Sequence, residues 1–271
     1  MIISQCLYFQ FGDINSTEFD IINCKIDSGL FNEPFLAPRT IKETQIRGRS
    51  PYFQEVERQN LSFSVTFAFR SGWDTKEKLR EVARWLDSDY YKPLIFYDDL
   101  IPNGEEVIYY SILSDAPQIV HNGRNEGYLT LQFKTNSSYG FSPIYLSQNT
   151  RISGYFLSPW QPTPIPKNIE FINDGDINIK PIIFVKTLLK DFSIVNLSNG
   201  QILKFTGLEL NETLEIDTDL ETITSSLGST TYRINNMTSD STFLSMERGV
   251  NVLQCLGNFE FQIKYEFKYS T

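Results

Sequence analysis

His121 is the single histidine of the chain, so an imidazole general base would have to be built on it. It stands in His121-Asn-Gly-Arg-Asn125, whose composition sets a tight turn. The plain reading is an exposed turn residue, and one histidine cannot supply a multi-histidine metal site. Asp98 and Asp99 are adjacent, and on a strand adjacent side chains face opposite ways. Glycoside hydrolysis needs two carboxylates facing one another across a cleft. A pair drawn from distant positions among the 33 acidic residues is left open. Asp217, Asp219 and Glu221 alternate and could share a face, as converging calcium ligands must. They lack the EF-hand spacing, and a solvated strand end with its turn explains them equally. Asn173-Asp-Gly-Asp176 has the residues of a turn.

Cys6, Cys24 and Cys255 are odd in number and form no Cys-x-x-Cys pair. They read as reduced and packed, neither a disulfide framework nor a zinc site. No glycine-rich phosphate loop and no Gly-x-Ser-x-Gly elbow occurs. Trp73, Trp85 and Trp160 offer aromatic faces of the kind that stack on sugars. Trp85 falls inside a helical pattern and is expected to pack there. Trp160, in a proline-rich stretch, is the better candidate for a sugar or partner contact. The residues therefore specify no catalytic site, no metal site and no cofactor.

The elements that would position these side chains are mostly strands. Leu61, Phe63, Val65, Phe67 and Phe69 alternate with Ser62, Ser64, Thr66 and Ala68, the pattern of a half-buried strand. Phe259, Phe261, Ile263, Tyr265, Phe267 and Tyr269 alternate in the same way with charged and polar residues. Shorter strands are expected at Val107–Leu113, Tyr128–Lys134, Ile169–Phe171, Pro181–Lys186, Phe192–Asn196, Gln201–Phe205 and Thr213–Asp217. One helix is expected over about 75–87. Asp74 and Glu77 can form its capping box, and Leu79, Val82, Ala83 and Leu86 make one apolar stripe. The fold class is mainly β, with two β-sandwich-like domains.

Arg39 to Gln59 breaks the pattern. Arg39, Lys42, Glu43, Arg47, Arg49, Glu55, Glu57 and Arg58 leave too few apolar residues for a core. It reads as a long hairpin or arm, with a flexible surface loop as the alternative. Structureless loops of that length are uncommon in compact domains. The domain joint is expected near Ser142–Pro166, where Pro143, Pro159, Pro162, Pro164 and Pro166 discourage central strands. The division is 1–145 and 146–271.

Length supports this division, since 271 residues correspond to about two domains. Aromatics reach 14%, which suits strands and interfaces. A net charge of −9 argues against a surface that grips phosphates, and an acidic wall would let DNA slide past. Met1 to Phe11 carries no Lys or Arg, so no signal peptide is expected. No apolar run approaches the length of a membrane helix, and a reducing cytoplasm is the expected site of synthesis.

These features resemble one family. The polar arm, the strand Leu61–Phe69, the helix, and then Lys92-Pro-Leu-Ile-Phe96 are similar in order to the first domain of phage distal tail proteins. Gly127-Tyr-Leu-Thr-Leu-Gln-Phe133 and Tyr139-Gly-Phe-Ser-Pro143 are similar to that domain's end. Ile172–Asp176, Lys180–Ile183, Leu214–Asp217 and Arg248–Leu253 resemble the family's second domain.

The resemblance implies a homo-hexameric ring at the tail tip or baseplate. The ring would join the tail tube protein to tail-associated and receptor-binding proteins and let DNA through without specific binding. The second domain would be a galectin-like, carbohydrate-module-like sandwich. The arm would clasp the neighbouring subunit. Arg47, Arg49, Glu55, Glu57 and Arg58 could pair across that contact, and Tyr52, Phe53 and Val56 could anchor it. The last strand could return to either domain. The particle would be assembled in the bacterial cytoplasm, with the protein at the virion tail tip and inserted in no membrane. A carbohydrate-binding adhesion module is the alternative function, and a wall-degrading enzyme a third.

Overall fold

The computed structural model describes residues 6–24, 36–70, 75–100, 104–115, 117–123, 126–153, 155–156, 163–228 and 231–270. Of these, 98–100, 122, 155–156 and 163–164 are described by backbone alone. The chain is mainly β, with one α-helix among the described residues, and divides into two compact units. The second unit is Ile144–Lys268, and Tyr269 belongs with the first.

The first unit begins with β1 (Phe9–Phe11), β2 (Ile14–Asn15), β3 (Ile21–Asn23), β4 (Arg39–Thr44), β5 (Tyr52–Arg58) and β6 (Ser62–Phe69). Then come α1 (Lys76–Leu86), β7 (Lys92–Leu100), β8 (Glu106–Leu113), β9 (Ile119–Asn122), β10 (Glu126–Thr135) and β11 (Gly140–Phe141). Its main sheet runs β2-β1-β7-β8-β10-β6-β3. β6 pairs with β10 so that Phe63, Val65 and Phe67 oppose Phe133, Leu131 and Leu129. Directly opposed residues share a face, so all six point into one core, each at most 5% exposed. Phe9 stacks on Phe67 with ring centroids 4.5 Å apart, and Phe63 meets Tyr109 edge-on at 5.7 Å.

α1 covers this core with Val82, Trp85 and Leu86. The buried Trp85 indole N–H donates to the Phe11 carbonyl at 2.8 Å, which satisfies the polar atom that burial would otherwise leave stranded. The capping position falls on Thr75, one residue later than the expected Asp74, which lies outside the described residues. The apolar stripe divides in the folded chain. Val82 and Leu86 are buried, while Ala83 is exposed and Leu79 half-buried.

The second unit contains β12 (Tyr145–Leu146), β13 (Thr150–Ser153), β14 (Tyr155–Phe156), β15 (Thr163–Pro164), β16 (Lys167–Asn173) and β17 (Ile182–Asn196). β18 (Gln201–Phe205), β19 (Thr213–Asp217), β20 (Thr222–Ser225) and β21 (Gly249–Tyr265) complete it. Two long strands form its spine: β17 and β21 pair antiparallel along nearly their whole lengths. The segments expected as separate strands, 181–186 and 192–196, are one strand, since the ladder resumes after an irregularity between Thr187 and Phe192. Gly257 sits opposite that irregularity at φ +128°, and a Cβ there would lie 3.0 Å from the Asp191 carbonyl oxygen. Only glycine occupies such a place without strain.

The closing alternation is also divided differently. β21 starts at Gly249 and ends at Tyr265, and a short β22 (Lys268–Tyr269) follows, paired with β11 in the first sheet. The odd positions of β21 from Asn251 to Ile263 are buried.

Candidate assembly interface

β4 and β5 form a two-stranded ribbon outside both main sheets. Arg39 opposes Arg58, Thr40 opposes Glu57, Ile41 opposes Val56 and Lys42 opposes Glu55, with a register shift after Lys42. Every residue of both strands is exposed. Gly48 turns the chain at φ +75°, and the Arg49 amide donates to the Ile46 carbonyl at 3.1 Å. A polar segment forms strands here because each can satisfy its backbone groups on the other, whatever its side chains.

The charged residues fall into three groups. Lys42 Nζ lies 2.8 Å from Glu55 Oε1 and 3.2 Å from Glu57 Oε2, and hydrogen bonds to Glu55 and Glu57 hold its ammonium above the usual lysine value. At the root, the Arg58 guanidinium donates to the Tyr139 hydroxyl and lies 5.5 Å from its ring centroid. The Gln59 amide donates to the Pro38 carbonyl at 2.8 Å, closing the neck. Arg47 and Arg49, at the tip, form no ion pair among the described residues. Glu55, Glu57 and Arg58 are thus engaged within the subunit, whereas the tip arginines form no ion pair there among the described residues.

The apolar residues of the ribbon are its anomaly. Tyr52 is 67% exposed, Ile41 60%, Phe53 56% and Val56 44%. Large apolar side chains gathered on a thin ribbon are unusual where they face solvent, and a lone two-stranded ribbon is marginal in water.

The other candidates are scattered. His121 lies in β9, opposite Gly127, ahead of the turn and not within it. Asp98 and Asp99 lie in β7, with side chains outside the described set. Asp217 Oδ1 accepts from the Asp219 and Leu220 amides, each at 2.9 Å. This turn takes Asp219 and Glu221 off the strand, and Glu221 has a left-handed φ of 55°. Asn173 Oδ1 accepts from the Gly175 amide at 3.0 Å and so forms a turn. Its Nδ2 reaches the Met246 carbonyl at 3.1 Å. Trp73 and Trp160 lie outside the described residues. Burial pushes the Cys255 thiol up to about 12, despite Lys167 nearby, so it stays protonated and inert.

Two polar clusters in the second unit left no local mark in the sequence. Glu212 is held by Arg233 and Ser225. Buried Asn196 donates to Asn251 Oδ1 at 3.0 Å and to the Ser245 carbonyl at 2.9 Å. Their partners are distant in the chain, so no short motif announces them.

Residues 4–137 match a family described as a phage tail protein N-terminal domain. Over 270 residues the chain is 32% identical to an SPbeta prophage-derived protein, YomH, of Bacillus subtilis (strain 168), covering 98% of this chain and 99% of that one. The chain belongs to this family of phage tail proteins. Its fold is that of the Dit protein of phage SPP1, a paradigm of the hub adsorption apparatus in phages infecting Gram-positive bacteria. The TM-score is 0.67 at 12% identity, over 96% of this chain and 98% of that one. A structure of the phage P2 baseplate aligns with a TM-score of 0.47 at 13% identity, over 95% of this chain and 97% of that one.

Proposed function

We propose that the protein is the structural hub of a phage tail tip or baseplate. In this reading its first unit forms a hexameric ring that joins the tail tube protein to tail-associated and receptor-binding proteins. DNA passes through the lumen without specific binding. The second unit is a galectin-like module facing outward. The protein is not an enzyme, and it is assembled in the bacterial cytoplasm before becoming part of the virion tail tip.

The observation that carries this reading is the exposed ribbon on a phage tail domain. A closed ring needs a head-to-tail contact in which two different surfaces of one subunit meet. A ribbon standing outside the sheet, with free apolar side chains, supplies one of those surfaces. The net charge of −9 agrees with a conduit that does not hold DNA.

Light scattering on the full chain tests the proposal. A mass near six times 31.3 kDa is expected, and deletion of residues 42–56 should abolish it. Hexamers that persist after the deletion would remove the arm from the account.

A further inference from the structure

The two edges of β18 are closed by different means. Along one, Gln201–Phe205 pairs with β17 from Asn196 back to Phe192. Successive residues of a strand bond alternately to the two sides, so the groups of Ile202 and Lys204 that point away from β17 need other partners. Residues 236–242 supply them, although no strand runs there. The Lys204 amide donates to Ser241 Oγ at 3.0 Å, and that hydroxyl donates back to the Lys204 carbonyl at 2.9 Å. One side chain thereby does for Lys204 what a neighbouring peptide group would do. The Ile202 amide donates to Thr242 Oγ1 at 3.2 Å, and its carbonyl accepts from the Thr242 amide at 2.5 Å. Just past the strand, the Thr206 amide donates to the Asn236 carbonyl at 2.9 Å, and Met237 bridges Phe205.

The segment passes no edge on. The Ser241 amide donates to the Thr238 carbonyl at 2.9 Å, so the chain turns at Ser239 and Asp240, both exposed. A turn that carries a carboxylate offers no row of backbone groups to a further strand. Both ends of the segment are anchored away from β18. Arg233 is held by buried Glu212 at 2.6 Å. Leu244 and Met246 are buried, and Met246 bridges Ile179. The contact with β18 is therefore separable from what holds the segment on the unit.

We propose that residues 236–242 are a guard strap, which closes the β18 edge to strand addition by a second copy of this chain. An open sheet edge is a template for an extended segment. Two identical edges can meet antiparallel about a two-fold axis, each completing the other. Such a contact would join second units to one another and compete with ordered assembly through the first unit. The strap prevents it by using hydroxyls in place of a ladder, and its action does not depend on the arm.

Amide exchange on the full native chain is the first test. Ile202 and Lys204 should be protected although they lie at the margin of the sheet. Exchange as fast as that of exposed Ser239 would overturn the strap without recourse to any variant.

Ser241→Ala with Thr242→Val removes both hydroxyls and keeps the backbone bonds. Exchange at Ile202 and Lys204 should then quicken about five- to tenfold, the equivalent of one hydrogen bond each, with β17 unchanged. Light scattering should show a mass above that of the native chain at equal concentration, growing as concentration rises. Adding Lys204→Pro should return the mass to the native value. The Lys204 amide faces the strap, so proline there removes no bond to β17 while it blocks an added strand.

Unchanged exchange in the hydroxyl variant would remove the strap's role. Faster exchange at the native mass would overturn a second copy as what is kept out. Excess mass that survives Lys204→Pro would overturn the β18 edge as the contact. A hydroxyl variant that fails to fold would overturn the separation of the strap from the unit's core.

Discussion

Arg233 Nε lies 2.6 Å from Glu212 Oε1, and the Glu212 side chain has no exposed surface. Ser225 Oγ donates to the same oxygen at 2.5 Å, and the Glu209 amide donates to the other at 3.1 Å. The pair ties the short helical turn Arg233–Asn236 to the residue preceding β19. Removing one partner leaves a buried charge without its counter-ion. Arg233→Met should therefore destabilise the second unit by about 3–5 kcal/mol, read as a lowered thermal transition. Replacing both residues by apolar ones should cost much less.

The same carboxylate gives the second unit an acid limit. Burial alone would raise the Glu212 carboxyl. The hydrogen bonds from Arg233, Ser225 and the Glu209 amide, with the Arg233 charge, outweigh it and set the group below its ordinary 4.5. The folded state then binds the proton more weakly than the unfolded chain. The stabilisation is fully present above the unfolded value and is lost as pH falls through the folded one. Burial raises Glu266 instead, which acts with the opposite sign as pH rises through and above the same value. Comparing the native chain with Glu212→Gln cancels Glu266. The variant's stability should depend less steeply on pH below 4.5, as followed by circular dichroism.

Gly257→Ala should strain the spine of the second unit. Its φ of +128° suits glycine alone, and the new Cβ would press on the Asp191 carbonyl and on Phe192 Cα, 3.1 Å away. A loss of about 1–3 kcal/mol is expected, measured by denaturant unfolding. Alanine at Gly249, where nothing lies within 4 Å of the new Cβ, should cost less, because only its positive φ resists.

The root of the arm offers a local test. Arg58→Ala removes both the hydrogen bond to Tyr139 and the stacking on its ring. The contact is exposed, so the loss should be about 1 kcal/mol or less. Amide exchange should quicken in β4 and β5 while the β6–β10 core stays protected. Equal quickening in both would show that the arm is not an independent unit of opening.

The alternating stretches determined their own strands and buried faces. Phe63, Phe67, Phe259 and Phe261 point inward because a period of two sorts side chains without reference to any partner. The helical stripe from Leu79 to Leu86 marked α1 itself, although only Val82 and Leu86 of it are buried. The small share of apolar residues in 39–59 marked the arm as external, because such a segment cannot bury enough surface to enter a core.

Other features required the folded chain. The join of two expected strands into β17 depends on β21 bridging the interruption at Thr187, with Gly257 opposite it. β22 pairs with β11, more than a hundred residues away in sequence. Asp217 turns its carboxylate to its own following amides, which dissolves the shared face its spacing suggested. Glu212 with Arg233, and Asn196 with Asn251, meet only because distant strands become neighbours. Local spacing governs which way a side chain points, whereas partners are set by the path of the whole backbone. The arm itself could be read from residue types, but the strap along β18 exists only where residues 236–242 come to lie beside that strand.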